Sequence, residues 1–277
     1  MNKLKTGKTL IEELILVICT VIMLIPIYYF AIGAFKGRTD VITYPLTITK
    51  DMFTLENFTY VIKKMKYWQA ALNTVTITAA SLGILIVGAS MAGFAIARIR
   101  NKLFTSYYGL LVTLMVIPFI GCLLPLARES VDLKLYNTIW GCILIQAAWN
   151  MPFATFLYTG FIRDIPKELE EAAYIDGCST FGVYMRIFLP LLAPVTATCA
   201  IRCGTGIWND FLVTRTLLNE NKTPTLMVGI RSFFGSRVTE YGYIFAGVVL
   251  VSLPMIILFL LLQKYFIKGI AAGAVKG

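Results

Sequence analysis

Long apolar blocks separated by short polar segments run along most of the chain. Six blocks are long enough to cross a membrane as helices, since the hydrocarbon layer takes about 20 residues. They lie at residues 12–34, 70–97, 105–127, 138–162, 187–212 and 243–263. These blocks are continuous and rich in Leu, Ile and Val, whereas a closed barrel shows short alternating segments. The pattern therefore predicts an all-α membrane protein with six transmembrane helices.

The first block resembles a secretory signal peptide only superficially. Lys3, Lys5 and Lys8 precede it, as basic residues precede such a peptide. The apolar stretch from Leu14 to Phe35 is longer than the roughly 7–15 residues of a signal-peptide core, and no A-x-A-like cleavage site follows it. We therefore expect a retained transmembrane helix.

Basic residues near the ends of the blocks favour an orientation with both termini in the cytoplasm. Arg98, Arg100 and Lys102 fall in one short turn, and short loops dominate the rule that basic residues stay inside. With this turn counted, Lys and Arg are divided evenly between the two sides, twelve on each, so the orientation depends on the greater weight of the short turn. The 35–69 segment then lies outside, and the charged 163–186 loop lies in the cytoplasm.

Composition supports lipid as the solvent. Hydrophobic residues make up 58% of the 277 residues and charged residues 14%, against about 45–50% and about 25% in soluble domains. The net charge of +10 would suggest nucleic acid in a soluble protein. Basic residues at the ends of membrane segments explain it here, because the chain has no long basic run. We expect no nucleic-acid partner.

The sequence lacks the residues for several kinds of catalytic, metal and nucleotide-binding site. The chain contains no His, and its six cysteines form no C-x-x-C pair, so buried apolar cysteines are expected instead of a metal site or a disulfide framework. No G-x-x-x-x-G-K-[ST] segment occurs, so the chain has no phosphate-binding loop for ATP. We expect a non-catalytic protein that binds no cofactor itself.

The 163–186 loop has the signals of two helices separated by a sharp turn. Asp164 and Pro166 are helix-start signals, and Gly177 can take the positive φ that stops a helix. Ser179 or Thr180 can cap a second helix that enters the membrane at about residue 187.

The first of these helices is expected to have a small apolar face. Leu169, Ala172 and Ala173 are three and four residues apart, so we expect them to share one small apolar face. Pro190 and Pro194 follow in the next apolar block and are expected to kink its first turns. The loop is interpreted as a rigid cytoplasmic element that fits a groove on a partner, although an ordinary surface loop has the same composition.

The segments EAAYIDG at 171–177 and LPLLAP at 189–194 closely resemble the EAA loop of ATP-binding-cassette (ABC) importer permeases. In that family the loop forms a coupling helix, which docks in a cleft of the ATPase subunit. The resemblance assigns the motif core and its frequent companions to Glu171, Ala172, Ala173, Gly177, Asp176 and Pro190.

Two further segments resemble carbohydrate importer permeases of the maltose, raffinose and multiple-sugar class, specifically the shorter of their two permease subunits. They are IWNDF at 207–211 and YFIKGIAAGAVKG at 265–277. The resemblance implies one permease domain over residues 1–277 in the plasma or inner membrane. It also implies a sugar substrate, a second permease, two ATPase subunits that hold ATP and Mg, and an extracellular or periplasmic solute-binding protein. The tail from Lys268 to Gly277 would reach the ATPase interface.

Arg202 is a charged residue inside the fifth block, where a charge costs a few kcal/mol or more. It could line the translocation pathway, or pair with an acid such as Asp210 or with carbonyls of a partner chain. Trp208, Asn209 and Asp210 are further pathway candidates, although packing and interhelical hydrogen bonds also explain them. Together with Arg128, Arg202 motivates an alternative substrate class, an anionic sugar or a sugar phosphate.

Two other questions stay open at this level. A secondary transporter is the alternative from a different class, but it usually has internal repeats and interrupted helices, and this chain shows no convincing repeat. Ala89 and Gly93 are four residues apart in the second block, and small residues at this spacing allow close helix packing. The packing could be within this chain or against a partner.

Overall fold

The structure is a computed structural model that describes residues 2–99, 101–234 and 240–274, with side chains described between residues 10 and 260 of those ranges. Arg100 of the predicted inner turn lies outside the described residues, as does the end of the predicted tail at 275–277.

The described part of the chain is mostly helical, with an isolated bridge between Lys36 and Phe53. Short 3₁₀ and π-helical turns occur at Lys50–Met52 and Tyr184–Phe188. The helices are α1 (Asn2–Gly33), α2 (Arg38–Thr43), α3 (Glu56–Lys64), α4 (Tyr67–Arg98), α5 (Lys102–Leu114), α6 (Phe119–Asp132), α7 (Ile139–Arg163), α8 (Glu168–Ile175), α9 (Thr180–Val183), α10 (Leu189–Leu191), α11 (Ala193–Trp208), α12 (Leu212–Leu217), α13 (Leu226–Arg231) and α14 (Tyr241–Ala274). The all-α prediction is confirmed for these residues.

Helix covers most of each predicted block, but fewer than six helices are long and apolar enough to cross a membrane. Among the described residues three qualify, at Leu10–Gly33, Tyr67–Arg98 and Tyr241–Leu260. Two bent pairs, Lys102–Leu114 with Phe119–Asp132 and Thr180–Leu191 with Ala193–Trp208, raise the number to at most 5. Helix α7 coincides with the fourth predicted span and is not among them. The six-span count and the cytoplasmic termini stay predictions.

The third predicted span, 105–127, is not one straight helix. Helices α5 and α6 meet at 109°, and Pro118 stands immediately before α6. Proline has no N–H for a helical hydrogen bond, and it disfavours the helical conformation of the residue before it. The fifth span bends by 70° between α10 and α11, beside Pro190 and Pro194, as the sequence predicts.

The chain forms two compact units. One contains the described residues of 1–68 and 229–254, and the other those of 69–228 and 255–277. In the first unit the ring of Phe245 packs edge-on against Tyr29 and Phe30, with ring centroids 5.1 and 4.9 Å apart. Gly33 makes room for that ring, because a Cβ atom there would lie 2.5 Å from it. The single permease domain expected over 1–277 stays a prediction.

Lys36 is fully buried in the first unit, just after α1. Its Nζ donates to the carbonyl oxygens of Tyr44 at 2.7 Å and Pro45 at 3.2 Å. Burial lowers the pKa of this amine from its ordinary value of 10.5, and the nearby Asp40 carboxylate opposes that shift. The ammonium therefore ties the end of α1 to the turn that follows α2.

In the second unit α4 and α7 pack closely through small residues. Ala89 is fully buried, and a Cβ atom on Gly93 would lie 3.1 Å from the backbone nitrogen of Thr159 in α7. The small residues of α4 therefore mediate packing within this chain, which answers the question that the sequence leaves open.

Helix α1 buries almost none of its apolar surface. In its span Leu10–Gly33, 0% of the most apolar stretch is buried. Exposed apolar surface of this extent requires lipid or another subunit around it.

Candidate functional site

Helix α8 ends in a glycine with left-handed backbone. Gly177 has φ +79°, and its N–H donates to the Tyr174 carbonyl at 3.0 Å. The next N–H, of Cys178, donates to the Ala173 carbonyl at 2.9 Å. These two bonds around a left-handed residue form a Schellman motif, which satisfies carbonyls at a helix end. The predicted stop at Gly177 is confirmed, and it sets the sharp turn of the 163–186 loop.

The second helix of the loop begins directly after this turn. Ser179 is its N-cap, and the side-chain oxygen accepts the N–H of Gly182 at 3.2 Å. Of the two predicted caps, Ser179 is the one used. The first helix starts later than expected, at Glu168, so Pro166 precedes the helix instead of lying in its first turn.

The two faces of α8 differ in burial. Ala173 is buried in the core of the second unit, whereas Glu171 and Ala172 are exposed. Leu169 is also 44% exposed, so of the predicted apolar face of Leu169, Ala172 and Ala173 only Ala173 packs in the core. Consecutive residues point about 100° apart around a helix, and the core takes only Ala173.

The outward face of α8 carries large apolar side chains. Ile175 is 86% exposed and Tyr174 45%. The other two motif residues, Asp176 at the C-cap of α8 and Pro190 in α10, are also exposed. Apart from Ala173, the predicted motif residues are therefore free of core packing.

Arg98, the last residue of α4, anchors α8 to the second unit. Its Nε lies 3.3 Å from Oε2 of Glu170, and the two side chains are only 5% and 13% exposed. Its Nη2 donates to the carbonyl of Ile162 at 2.9 Å and to that of Ile165. The sequence suggests Arg98 only as a cytoplasmic charge, because pairing over 72 positions has no local signal.

The same face of α4 also contacts the segment that follows the Gly177 turn. Ser90 and Tyr184 share a hydrogen bond of 2.8 Å between their hydroxyl groups. The rings of Phe94 and Phe188 lie 4.9 Å apart, and the Arg98 guanidinium lies 5.2 Å from the Phe188 ring centroid. Ser90, Phe94 and Arg98 are four residues apart, so one stripe of α4 makes these contacts.

A second candidate site is a cavity of about 330 Å³ in the same unit, beside the break between α5 and α6. Its wall includes Met115, Trp149, Asn150, Phe153 and Arg202. The Arg202 guanidinium lies 5.7 Å from the Phe153 ring centroid, within range of a cation–π interaction. In the part of the chain that the structure describes, no ion pair within 4.0 Å includes Arg202.

Asp210 has a local role that excludes the predicted pair with Arg202. Its carboxylate accepts the N–H of Val213 at 3.2 Å and that of Thr214 at 2.9 Å, at the start of α12. These bonds satisfy amides that a helix leaves unpaired at its first turn. Asp210 therefore helps to start α12 as a separate helix after α11.

The other two residues of this motif lie at the end of α11. Trp208 is 5% exposed at the end of α11, and its Nε1 has no hydrogen-bond partner among the described residues. Asn209 is the C-cap of α11 and donates its N–H to Thr205 at 3.1 Å. Of the four predicted pathway residues, the structure places Arg202 at the cavity and leaves Trp208, Asn209 and Asp210 outside its lining.

The known proteins that this chain resembles are membrane components of transport systems. A family described as "Binding-protein-dependent transport system inner membrane component" matches residues 84–272. The chain is 37% identical over 281 residues to the melibiose/raffinose/stachyose import permease protein MelC of Bacillus subtilis (strain 168), and the match covers 100% of both chains. It is 32% identical over 276 residues to the probable starch degradation products transport system permease protein AmyC of Thermoanaerobacterium thermosulfurigenes, again over 100% of both.

One solved structure shares the fold. It is a bacterial ABC transporter involved in the import of the acidic polysaccharide alginate, with a TM-score of 0.79 over 93% of this chain and 96% of that chain. At 19% sequence identity, the likeness concerns the fold alone.

Proposed function

This chain belongs to the family of binding-protein-dependent transport system inner membrane components, and we propose that it passes motion from ATPase subunits to its membrane helices through the 163–186 loop. It is a multi-pass membrane protein and a permease subunit of a sugar ABC transporter. The proposed solute is a sugar or oligosaccharide, since relatives such as MelC carry the names of sugars.

The observation that carries the proposal is the two-sided construction of α8. Ala173 and Glu170 fix the inner side on the core, and the Gly177 turn fixes the end. The outer side exposes Ile175 and Tyr174. Apolar side chains exposed on a rigid element are typical of protein interaction sites. Such an element can dock on a moving partner and carry its displacement inward.

The proposed partners follow from the family. Separate ATPase subunits are proposed to hold ATP and Mg, which agrees with the lack of a phosphate-binding loop in this sequence, and this chain is proposed to be non-catalytic. A second permease completes the pathway, with this chain as the shorter subunit. A solute-binding protein delivers the sugar on the outer side.

Docking on the ATPase can be tested by association in detergent. Ile175→Glu places a charge on the exposed face of α8, and we expect it to lower the amount of ATPase subunit that copurifies with the permease pair. The matched control is Leu46→Glu, because Leu46 is 52% exposed in the segment predicted to lie outside. Equal copurification for native protein and Ile175→Glu would contradict the docking face.

Arg202 supports a second, narrower proposal about the substrate. Its guanidinium lies at the cavity without an ion pair among the described acids, so it can contact a polar or anionic part of the solute in the pathway. The test is solute-stimulated ATP hydrolysis with Arg202→Met. Lys50→Met is the control, because it removes a charge from an exposed residue outside the cavity lining and should leave the stimulation unchanged. Unchanged stimulation and an unchanged range of solutes in Arg202→Met would exclude this role.

The secondary-transporter alternative has its own test. Reconstituted permease subunits without any ATPase are expected to give no uptake. Concentrative uptake under those conditions would favour a secondary transporter.

A further inference from the structure

We propose that Arg98 is the positioning residue that joins the 163–186 loop to α4 and α7, so that these helices move with α8. The inference rests on the proposed coupling role of the loop. It concerns a connection inside this chain, beyond the motif residues that face the partner.

Arg98 joins three segments at one point. It is the last residue of α4, and its Nε faces Glu170 in the first turn of α8. Its Nη2 donates to the carbonyls of Ile162, in the last turn of α7, and of Ile165, just after α7. Hydrogen bonds that involve a charged group are roughly twice as strong as neutral ones. Because both side chains are nearly buried, with 5% and 13% exposure, solvent and salt screen this contact weakly.

A charge that served only to set membrane orientation would not need such a site. Lys102 and Arg163 lie close to Arg98 along the chain or in space, and both are exposed. The buried guanidinium of Arg98, by contrast, contacts an acid and two carbonyls on separate segments. The burial of Arg98 therefore points to a mechanical role as well as an orienting one.

The stripe of α4 next to Arg98 extends the connection past the turn. Ser90 bonds Tyr184 and Phe94 packs on Phe188, both of which follow Gly177 in sequence. Glu170 precedes Gly177. Helix α4 is thus held on both sides of the turn, and a displacement of α8 that leaves these contacts intact must displace α4.

The test uses the complete importer in liposomes, with this chain, its partner permease, the ATPase subunits and the solute-binding protein. The readout is the number of solute molecules taken up per ATP hydrolysed, since loss of folded complex lowers both rates together and leaves their ratio unchanged. Arg98→Gln removes the charge that faces Glu170 and shortens the side chain that donates to the two carbonyls, and Glu170→Gln removes only the ion pair. Glu168→Gln is the matched control, because Glu168 is an exposed acid of the same helix turn.

We expect Arg98→Gln to lower the ratio by about fivefold or more. Fivefold is the lower end of the effects that coupling between two sites typically has. Glu170→Gln should give a smaller loss, and Glu168→Gln the native ratio. Arg98→Lys should recover part of the loss, because an ammonium can meet Glu170 or the carbonyls but has no planar fork for both.

The outcomes separate this proposal from the proposed function. A native ratio in both Arg98→Gln and Glu170→Gln, together with a reduced ratio in Gly177→Val, would overturn the role of Arg98 and leave the loop as the coupling element. A native ratio in all three would overturn both proposals. If Arg98→Gln does not assemble, Glu170→Gln decides, and a native ratio there overturns the role of Arg98.

Discussion

Gly93 of α4 lies so close to Tyr158 of α7 that a Cβ atom on the glycine would be 2.8 Å from the Tyr158 Cβ. Real Cβ atoms do not approach this closely, so one helix would have to shift. Tyr158 cannot yield, because it is fully buried and donates to Thr196 at 2.9 Å.

The first prediction follows from this contact. We expect Gly93→Ala to destabilise the protein by about 1–3 kcal/mol, as overpacking does in other cores. Thermal unfolding in detergent measures the effect. Gly83→Ala in the same helix is the control, since a Cβ there meets nothing within 4 Å. Equal midpoints for the two variants would contradict the close packing of α4 on α7.

The second prediction concerns Asp210. We expect Asp210→Ala to lose the amide contacts at the start of α12 and to cost about 0.5–2 kcal/mol, the usual range for a lost cap. Asp210→Asn keeps an acceptor oxygen and should cost less. Because Asp210 and Arg202 are not paired, the effects of Asp210→Ala and Arg202→Met on unfolding should add within about 0.5 kcal/mol. A larger coupling energy in the double variant would show that the two residues interact.

The third prediction concerns Lys36. Lys36→Met removes the donor to the carbonyls of Tyr44 and Pro45, and the loss of hydrogen bonds from a charged group costs about 1.5–3 kcal/mol. Lys50→Met, at an exposed lysine, is the control and should be near neutral. An equal loss of stability in the two variants would contradict a stabilising role for the hydrogen bonds of Lys36.

Lys36 also predicts a pH dependence. Burial lowers the pKa of the folded amine below 10.5, so the unfolded chain holds this proton more tightly than the folded chain. The contribution of Lys36 to the free energy of unfolding therefore rises with pH, between the lowered pKa and 10.5. Denaturation at several pH values should show this rise in the native protein and its loss in Lys36→Met. A slope that is the same in both proteins would contradict the assignment to Lys36.

The features that the sequence predicts well are those set by neighbouring residues. The apolar blocks give the helices, Gly177 gives the end of α8, and Ser179 gives the cap of α9. Asp210 followed by the amides of α12 is also a local capping pattern. Pro118 is a local signal for the break in the third block.

The features that the sequence does not predict depend on contacts between distant segments. Nothing near Arg98 indicates that Glu170 and the end of α7 surround it. The choice of Ala173 over Ala172 as the buried residue depends on where α8 meets the core, which no local rule supplies. The sharp bends in two of the apolar blocks are likewise not predicted by their hydrophobic pattern.

The account depends most directly on the Gly177 turn, so the decisive measurement is solute uptake per ATP hydrolysed by the complete importer in liposomes, compared between Gly177→Val and Gly177→Asn. Valine is branched at Cβ and strongly disfavours φ +79°, whereas asparagine tolerates it. Gly160→Ala is the control, because Gly160 is helical and has open space around it.

We expect Gly177→Val to lower the ratio by about fivefold or more, with the complex still assembled, and Gly177→Asn to retain most of it. A native ratio in Gly177→Val would contradict the claim that the 163–186 loop carries ATPase motion into the membrane helices.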